Sequence, residues 1–248
     1  AFSRKQVIEL KPQKLNAVVQ AISKLLGRLL TEDIELEIRL APQDMVIMAD
    51  VTQIDQVLMN LASNARDAMP RGGMLTIETA VAEFDERLMQ DLGLDGGGTY
   101  ALLTVRDTGT GIPDALREKV FEPFFTTKET GKGTGLGLSI VYGIVKQHDG
   151  YIRVESRPGE GTTFSIYLPI VRAKPVDERP IREAPPRGSE TILVAEDNRD
   201  VRRLTTGVLG EYGYRIVEAE DGEEAINRFL ENPEAIDLVL LDVVMPKR

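Results

Sequence analysis

The sequence predicts an α/β chain in two parts: a two-layer α/β sandwich, then the beginning of a doubly wound parallel sheet. Three observations carry this. Residues 1–171 mix helical apolar spacing with period-two alternation, as when helices cover one face of a half-exposed sheet. Residues 189–248 instead alternate short apolar runs with helical segments, a βαβαβ order that implies a parallel sheet. Between them, residues 172–188 hold Pro175, Pro180, Pro185 and Pro186 and little apolar content, a semi-extended linker.

Residues 14–30 space Leu15, Val18, Val19, Ile22, Leu25, Leu26 and Leu29 along one face of a helix. Ile34, Leu36, Ile38 and Leu40 alternate with Glu35, Glu37 and Arg39, a half-buried strand, and 46–48 is a second short one. Residues 51–69 form a helix closed by Pro70 and Gly72-Gly73. Segments 74–84 and 100–105 read as strands and 138–147 as a helix. Segments 151–155 and 162–168 pair as a hairpin about Pro158-Gly159-Glu160-Gly161. Past the linker, 191–195, 214–218 and 236–241 are strands, and 198–211 and 221–231 are helices.

Composition excludes several functions. The 248 residues are 42% hydrophobic and 28% charged, which is globular, and no apolar run approaches the ~20 residues of a membrane span. No signal peptide is visible, and a start without Met predicts a piece of a longer protein. The absence of cysteine excludes disulfides and thiol chemistry and fits a cytoplasmic setting. A single histidine, His148, leaves no basis for a His-rich zinc site or a Ser-His-Asp triad. The net charge of −10 argues against a nucleic-acid-binding face.

Two glycine-studded stretches stand out. The first is Asp107-Thr108-Gly109-Thr110-Gly111-Ile112; the second, Gly131-Lys132-Gly133-Thr134-Gly135-Leu136-Gly137-Leu138-Ser139, opens a helix. Glycine lets backbone amides approach a ligand, and free N–H groups at a helix start favour anions. Asp107 is either a turn-capping acid or the acceptor for an adenine amino group, with Ile112 lining the base pocket. Upstream, Asn60 and Asn64 lie one turn apart in a stripe with Gln53, Gln56 and Asp67. That stripe fits a solvated face, yet such faces normally use Lys and Glu, and Asn lowers helix propensity. An Asn carbonyl also suits Mg²⁺ that shares its shell with phosphates. Phe121, Phe124 and Phe125 precede a Thr/Lys/Gly-rich stretch holding Lys128, which fits a lid anchored by aromatics. The second glycine run is no Walker A loop, because Gly133 follows Lys132 where Ser or Thr is required.

In this order the motifs resemble the ATP-binding catalytic domain of bacterial sensor histidine kinases, in the GHKL superfamily with its Bergerat-type fold. The resemblance covers roughly 9–170: Asn60 to Ala68 resembles the N box, Asp107 to Gly111 the G1 box, Phe121 to Lys128 the F box, and Gly133 to Leu138 the G2 box. It implies that Asn64 ligates Mg²⁺, that Asp107 holds adenine, and that 131–137, with Gly133, Thr134, Gly135, Leu136 and Gly137, wraps the phosphates of ATP. Asp67 departs from the basic residue that many relatives carry. ATP-hydrolysing relatives such as gyrase and the heat-shock chaperone place a Glu one turn before the metal Asn; Asn60 stands there, and an amide is no general base. Transfer to an external acceptor is therefore favoured over a GHKL-type ATPase, and a nucleotide-binding regulatory module without transfer is the alternative.

Such kinases phosphorylate a histidine on a dimerising helical hairpin. His148, in Lys146-Gln147-His148-Asp149-Gly150, reads instead as a helix C-cap that complements the dipole, so the acceptor is expected elsewhere, with 1–8 as the tail of the preceding helix. In residues 189–248, Glu196-Asp197 and Asp242 end the first and third strands, and the region resembles a flavodoxin-like response-regulator receiver domain. The resemblance implies that Asp242 accepts phosphate and that Glu196, Asp197 and Asp242 hold Mg²⁺. The Ser/Thr and Lys of its later strands are expected beyond the end of the chain. The expected whole is a hybrid sensor histidine kinase: a homodimer, membrane-anchored or not, whose partners are its own hairpin and a His-phosphotransferase or response regulator.

Overall fold

The computed structural model describes residues 8–84, 98–117, 119–127, 135–175, 187–231, 233–242 and 245. The chain divides into two compact units, Ala1–Asp177 and Glu178–Arg248.

In the first unit the described elements run β1 (Lys11–Lys14), α1 (Leu15–Leu29), β2 (Ile34–Arg39), β3 (Val46–Ala49), α2 (Val51–Ala68), β4 (Gly73–Phe84) and β5 (Gly98–Asp107). Two single 3-10 turns, Asp114–Leu116 and Lys119–Phe121, lead towards α3 (Gly137–Gln147), β6 (Tyr151–Arg157) and β7 (Gly161–Pro169). Five strands form one sheet in the order β2-β4-β5-β7-β6. Only β2–β4 is a parallel pair; the other three pairs are antiparallel.

The apolar faces read from sequence become the core. Leu15, Val18, Val19, Ile22 and Leu26 of α1 are buried with Ile54, Val57, Leu58 and Leu61 of α2 and Val141, Ile144 and Val145 of α3. Leu75, Ile77, Leu103, Val105, Ile166 and Leu168 of the sheet complete that cluster. Burying one such side chain contributes about 1.5–3 kcal/mol, so the three helices are held chiefly by this face.

Three local expectations change. β1 carries no strand pattern, yet it pairs antiparallel with β3, Lys11 opposite Ala49. Pairing with a partner strand orders it, and Pro12 is tolerated because the two-stranded sheet has only edges. β5 runs on to Asp107, which pairs with Leu75 and Thr162, so the acidic residue is the last of the strand. His148 does cap α3, but not as a cation. Its Nδ1 donates to the Ile144 carbonyl at 2.8 Å, and its Nε2 accepts the Asp50 N–H at 3.1 Å. A ring with one nitrogen accepting is neutral, so hydrogen bonding replaces the expected dipole complementarity.

The second unit runs β8 (Thr191–Ala195), α4 (Arg199–Glu211), β9 (Arg215–Ala219), α5 (Gly222–Glu231) and β10 (Leu238–Leu241). The strands are parallel in the order β10-β8-β9. Ile192, Leu193, Val194 and Ala195 of the central β8 are buried, whereas every residue of β10 is exposed. The apolar run of β10 therefore lies at an edge among the described residues.

Candidate functional site

Asp50 opens α2, its Oδ1 accepting the N–H groups of Thr52 at 3.0 Å and Gln53 at 3.4 Å, an ordinary N-cap. Ten and fourteen residues on, Asn60 and Asn64 are half-buried. α3 starts against them: a Cβ added to Gly137 would lie 3.8 Å from Asn60 Oδ1 and 3.9 Å from Asn64 Nδ2. The structure thus joins Gly137 to two residues that stand 73 and 77 positions before it in the sequence. Asn60 Nδ2 is buried without a hydrogen-bond partner. A buried donor left unpaired costs about 1–3 kcal/mol, a deficit that a phosphate oxygen can remove. Among the described residues no side chain caps the start of α3, and the first-turn N–H groups of such a helix favour an anion.

Asp107 is 5% exposed. Its Oδ1 accepts the N–H of Gly109 at 2.8 Å and of Thr162 at 3.2 Å. Burial raises its pKa above the usual carboxylate value, and those two N–H bonds oppose the rise. The loop after it is tied on three sides. Thr110 N–H donates to Ala68 O at 3.0 Å, and Thr108 N–H to Met74 O at 3.2 Å. From the β6–β7 hairpin, Ser156 Oγ accepts Ile112 N–H at 2.7 Å, and Gly159 N–H reaches Thr110 O at 2.8 Å. Gly111, at φ 71°, packs so closely on the Arg157 carbonyl that no side chain fits. Gly109 also packs closely, on Ala68, and Ile112 lies against the core. The hairpin residues Ser156 and Thr162 were missed in the sequence, where they are an ordinary strand Ser and Thr.

Asp67 stands beside Ala68, at the end of α2 that meets this loop. Its Oδ1 accepts from Nε and NH2 of Arg66 at 3.2 and 3.1 Å, and Arg66 NH1 reaches the Leu29 carbonyl at 3.5 Å.

The aromatic segment is not a uniform anchor. Phe121 packs on Tyr142 and Phe164, with ring centroids 5.6 and 6.4 Å away. Phe124 is 75% exposed at φ 67°, and Phe125 is half-buried. Gly135, at φ 65°, abuts the Phe124 backbone with no space for a Cβ, so the two ends of this segment meet. Leu136 then leads into α3. Lys128, Gly133 and Thr134 lie outside the described residues.

In the second unit, carboxylate oxygens of Glu196, Asp197 and Asp242 lie within 4.8 Å of one another. Burial raises the pKa of Glu196; the Asn198 N–H opposes this, Asp242 and Asp197 add to it, and Arg202 lowers it. Like charges at this spacing disfavour joint ionisation, which a divalent cation relieves. Buried Arg202 donates to the Glu196 carbonyl at 2.6 Å and to Glu220 at 2.7 Å, fixing the backbone at the end of β8.

Residues 49–172 match the family described as histidine kinase-, DNA gyrase B-, and HSP90-like ATPases, and residues 192–248 match the response regulator receiver domain. The chain is 43% identical to the sensor kinase CckA of Brucella abortus, over 100% of this chain and 27% of that protein. It is 34% identical to sporulation kinase C of Bacillus subtilis, over 68% of this chain and 36% of that protein. It thus spans about a quarter to a third of these relatives. Among solved structures, full-length ShkA in complex with AMPPNP superposes with a TM-score of 0.54 at 26% identity, over 89% of this chain and 42% of that one. The mycobacterial sensor histidine kinase MprB superposes with a TM-score of 0.50 at 28% identity, over 65% of this chain and 97% of that one. With a GHKL-type ATPase domain followed by a receiver domain, the chain belongs to the histidine kinase family of two-component systems, as part of a hybrid histidine kinase.

Proposed function

We propose that residues 9–171 bind ATP with Mg²⁺ and donate its γ-phosphoryl group to a histidine on a dimerising helical hairpin, from which it passes to Asp242. Residues 172–188 are the linker, 189–248 belong to the receiver, and 1–8 are the tail of the hairpin helix. The observation that carries this is the buried, unpartnered Nδ2 of Asn60 beside Asn64 and Gly137.

ATP supplies the transferable phosphoryl group, and Mg²⁺ neutralises its oxygens. Asp107 accepts the adenine amino group on Oδ2, since Oδ1 takes both backbone bonds. Gly109 and Gly111 hold their loop clear of the base, Ile112 lines it, and Asp67 lies at this adenine end. Asn64 offers its carbonyl oxygen to the metal, and Asn60 donates to a phosphate oxygen. Lys128 and Gly133 to Gly137 are assigned to the phosphate end of the site in this reading. No carboxylate stands at position 60 to deprotonate water, which favours transfer over hydrolysis. ShkA, whose structure holds an ATP analogue, supports ATP as the ligand. Glu196, Asp197 and Asp242 hold a second Mg²⁺, with Asp242 as acceptor. A cytoplasmic homodimer relaying to a His-phosphotransferase or response regulator follows from this reading. Among the described residues no helix is long and apolar enough to cross a membrane.

The test incubates the chain with γ-labelled ATP, Mg²⁺ and the purified hairpin of the same protein. Label on the hairpin histidine is expected; label on this chain should vanish in Asp242→Asn. Steady phosphate release by this chain alone would overturn the transfer reading.

A further inference from the structure

We propose that His148 is a positioning residue for the ATP site: as a neutral Nδ1–H imidazole it pins the far end of α3 to the start of α2, and so sets where Gly137 stands against Asn60 and Asn64. This rests on the ATP-site reading above.

Beyond the apolar core they share, α2 and α3 meet at two further places. At one end Gly137 abuts Asn60 and Asn64. At the other, His148 Nε2 accepts the Asp50 N–H at 3.1 Å, and Gln53 Nε2 donates to Gln147 Oε1 at 3.3 Å. At about 1.5 Å per residue, Gly137 to His148 spans about 16 Å, and Asp50 to Asn60 about 15 Å. The helices therefore run antiparallel with matched lengths between the two meeting points, and a slide at one end moves the other.

His148 is built as a fixed post. It is 3% exposed, and its Nδ1–H bond to Ile144 O, 2.8 Å, fixes both ring orientation and tautomer. Its backbone is held by a Schellman turn: Asp149 N–H donates to Lys146 O at 3.1 Å and Gly150 N–H to Val145 O at 2.9 Å. Asp149 takes the left-handed position at φ 54°. Gly150 is required one residue later, because a Cβ there would lie 2.8 Å from the Tyr167 carbonyl. On the other side, Asp50 is the N-cap of the helix that carries both asparagines. The only histidine of the chain thus joins the C-terminus of one nucleotide-site helix to the N-terminus of the other.

Two measurements test this on the 248-residue chain. With one histidine, ¹⁵N NMR shows a single pair of ring nitrogens. The expected spectrum at neutral pH has Nδ1 protonated and Nε2 bare; an Nε2–H tautomer, the form preferred in free histidine, overturns the proposal. Calorimetry with AMPPNP and Mg²⁺ then compares variants. His148→Gln keeps an acceptor within reach of the Asp50 N–H and should bind within about threefold of wild type. His148→Leu keeps bulk but no acceptor and should bind about tenfold more weakly, because an unpinned α3 no longer holds Gly137 against Asn60 and Asn64. Equal affinity of the folded Gln and Leu variants overturns the proposal. If the Leu variant does not fold, His148→Asn, too short to reach Asp50, replaces it with the same two outcomes. Asn64→Ala in the wild-type background separates the readings: unchanged affinity there sinks the ATP site itself, whatever His148 does.

Discussion

Asp107 shows how one residue can weaken the fold and serve the site. Burial holds its pKa above the ordinary carboxylate value of 3.8, so over the range between the two the folded chain retains a proton that the unfolded chain has lost. Its contribution to stability is thus most favourable below 3.8 and falls as pH rises through the raised value. Above that range the buried carboxylate is a liability that the Gly109 and Thr162 N–H groups offset in part and a ligand donor can offset further. Asp107→Asn is therefore expected to raise the melting temperature of the nucleotide-free chain at neutral pH, since its Oδ1 can still accept from Gly109 and Thr162. The same variant should bind ATP at least about tenfold more weakly, because its Nδ2 presents a donor to the adenine amino group. Thermal melts without nucleotide and calorimetry with it check the two halves. A second consequence concerns pH: ATP affinity should fall as pH drops through the raised Asp107 value, the opposite sense to the stability change. The residue types of this site were legible, since an Asp before two glycines and two Asn in a helix are unusual choices. Which oxygen of Asp107 is committed, and that His148 bonds Asp50, were not, because both depend on partners 55 and 98 residues away.

At the scale of elements, helices were read closely because a helix repeats its burial every turn along the chain itself. α2 was predicted over 51–69 and is found over Val51–Ala68. Leu61, fully buried in it, should cost about 2–5 kcal/mol when changed to Ala, measured by urea denaturation. β1 was invisible because its order comes from β3, 35 residues on, and not from its own side chains. The glycine turns fall between these cases. Gly111 was marked as a close-approach position, but only the fold shows that the Arg157 carbonyl occupies its Cβ space. Gly111→Ala must also adopt φ 71°, and is expected to lose about 1–3 kcal/mol or more by the same measurement.

Across the whole molecule, each unit has its own buried cluster, a large one in the first and a small one around Leu193, Ala195, Ala219 and Ala225 in the second. A calorimetric scan is expected to show two transitions. ATP analogue at a hundredfold over its Kd should raise the first by about 2.7 kcal/mol of stability and leave the second unmoved, while Mg²⁺ alone should act on the second. A shift of both by the analogue would count against separate sites. The sequence by itself determined the class of both parts, the family and the residue types at each site, because motif order and apolar periodicity are properties of a linear chain. Only the tertiary structure decided the sheet order β2-β4-β5-β7-β6, the meeting of Gly137 with Asn60 and Asn64, and the neutral state of His148. Those depend on which distant backbone group arrives beside each side chain, and packing alone brings them together.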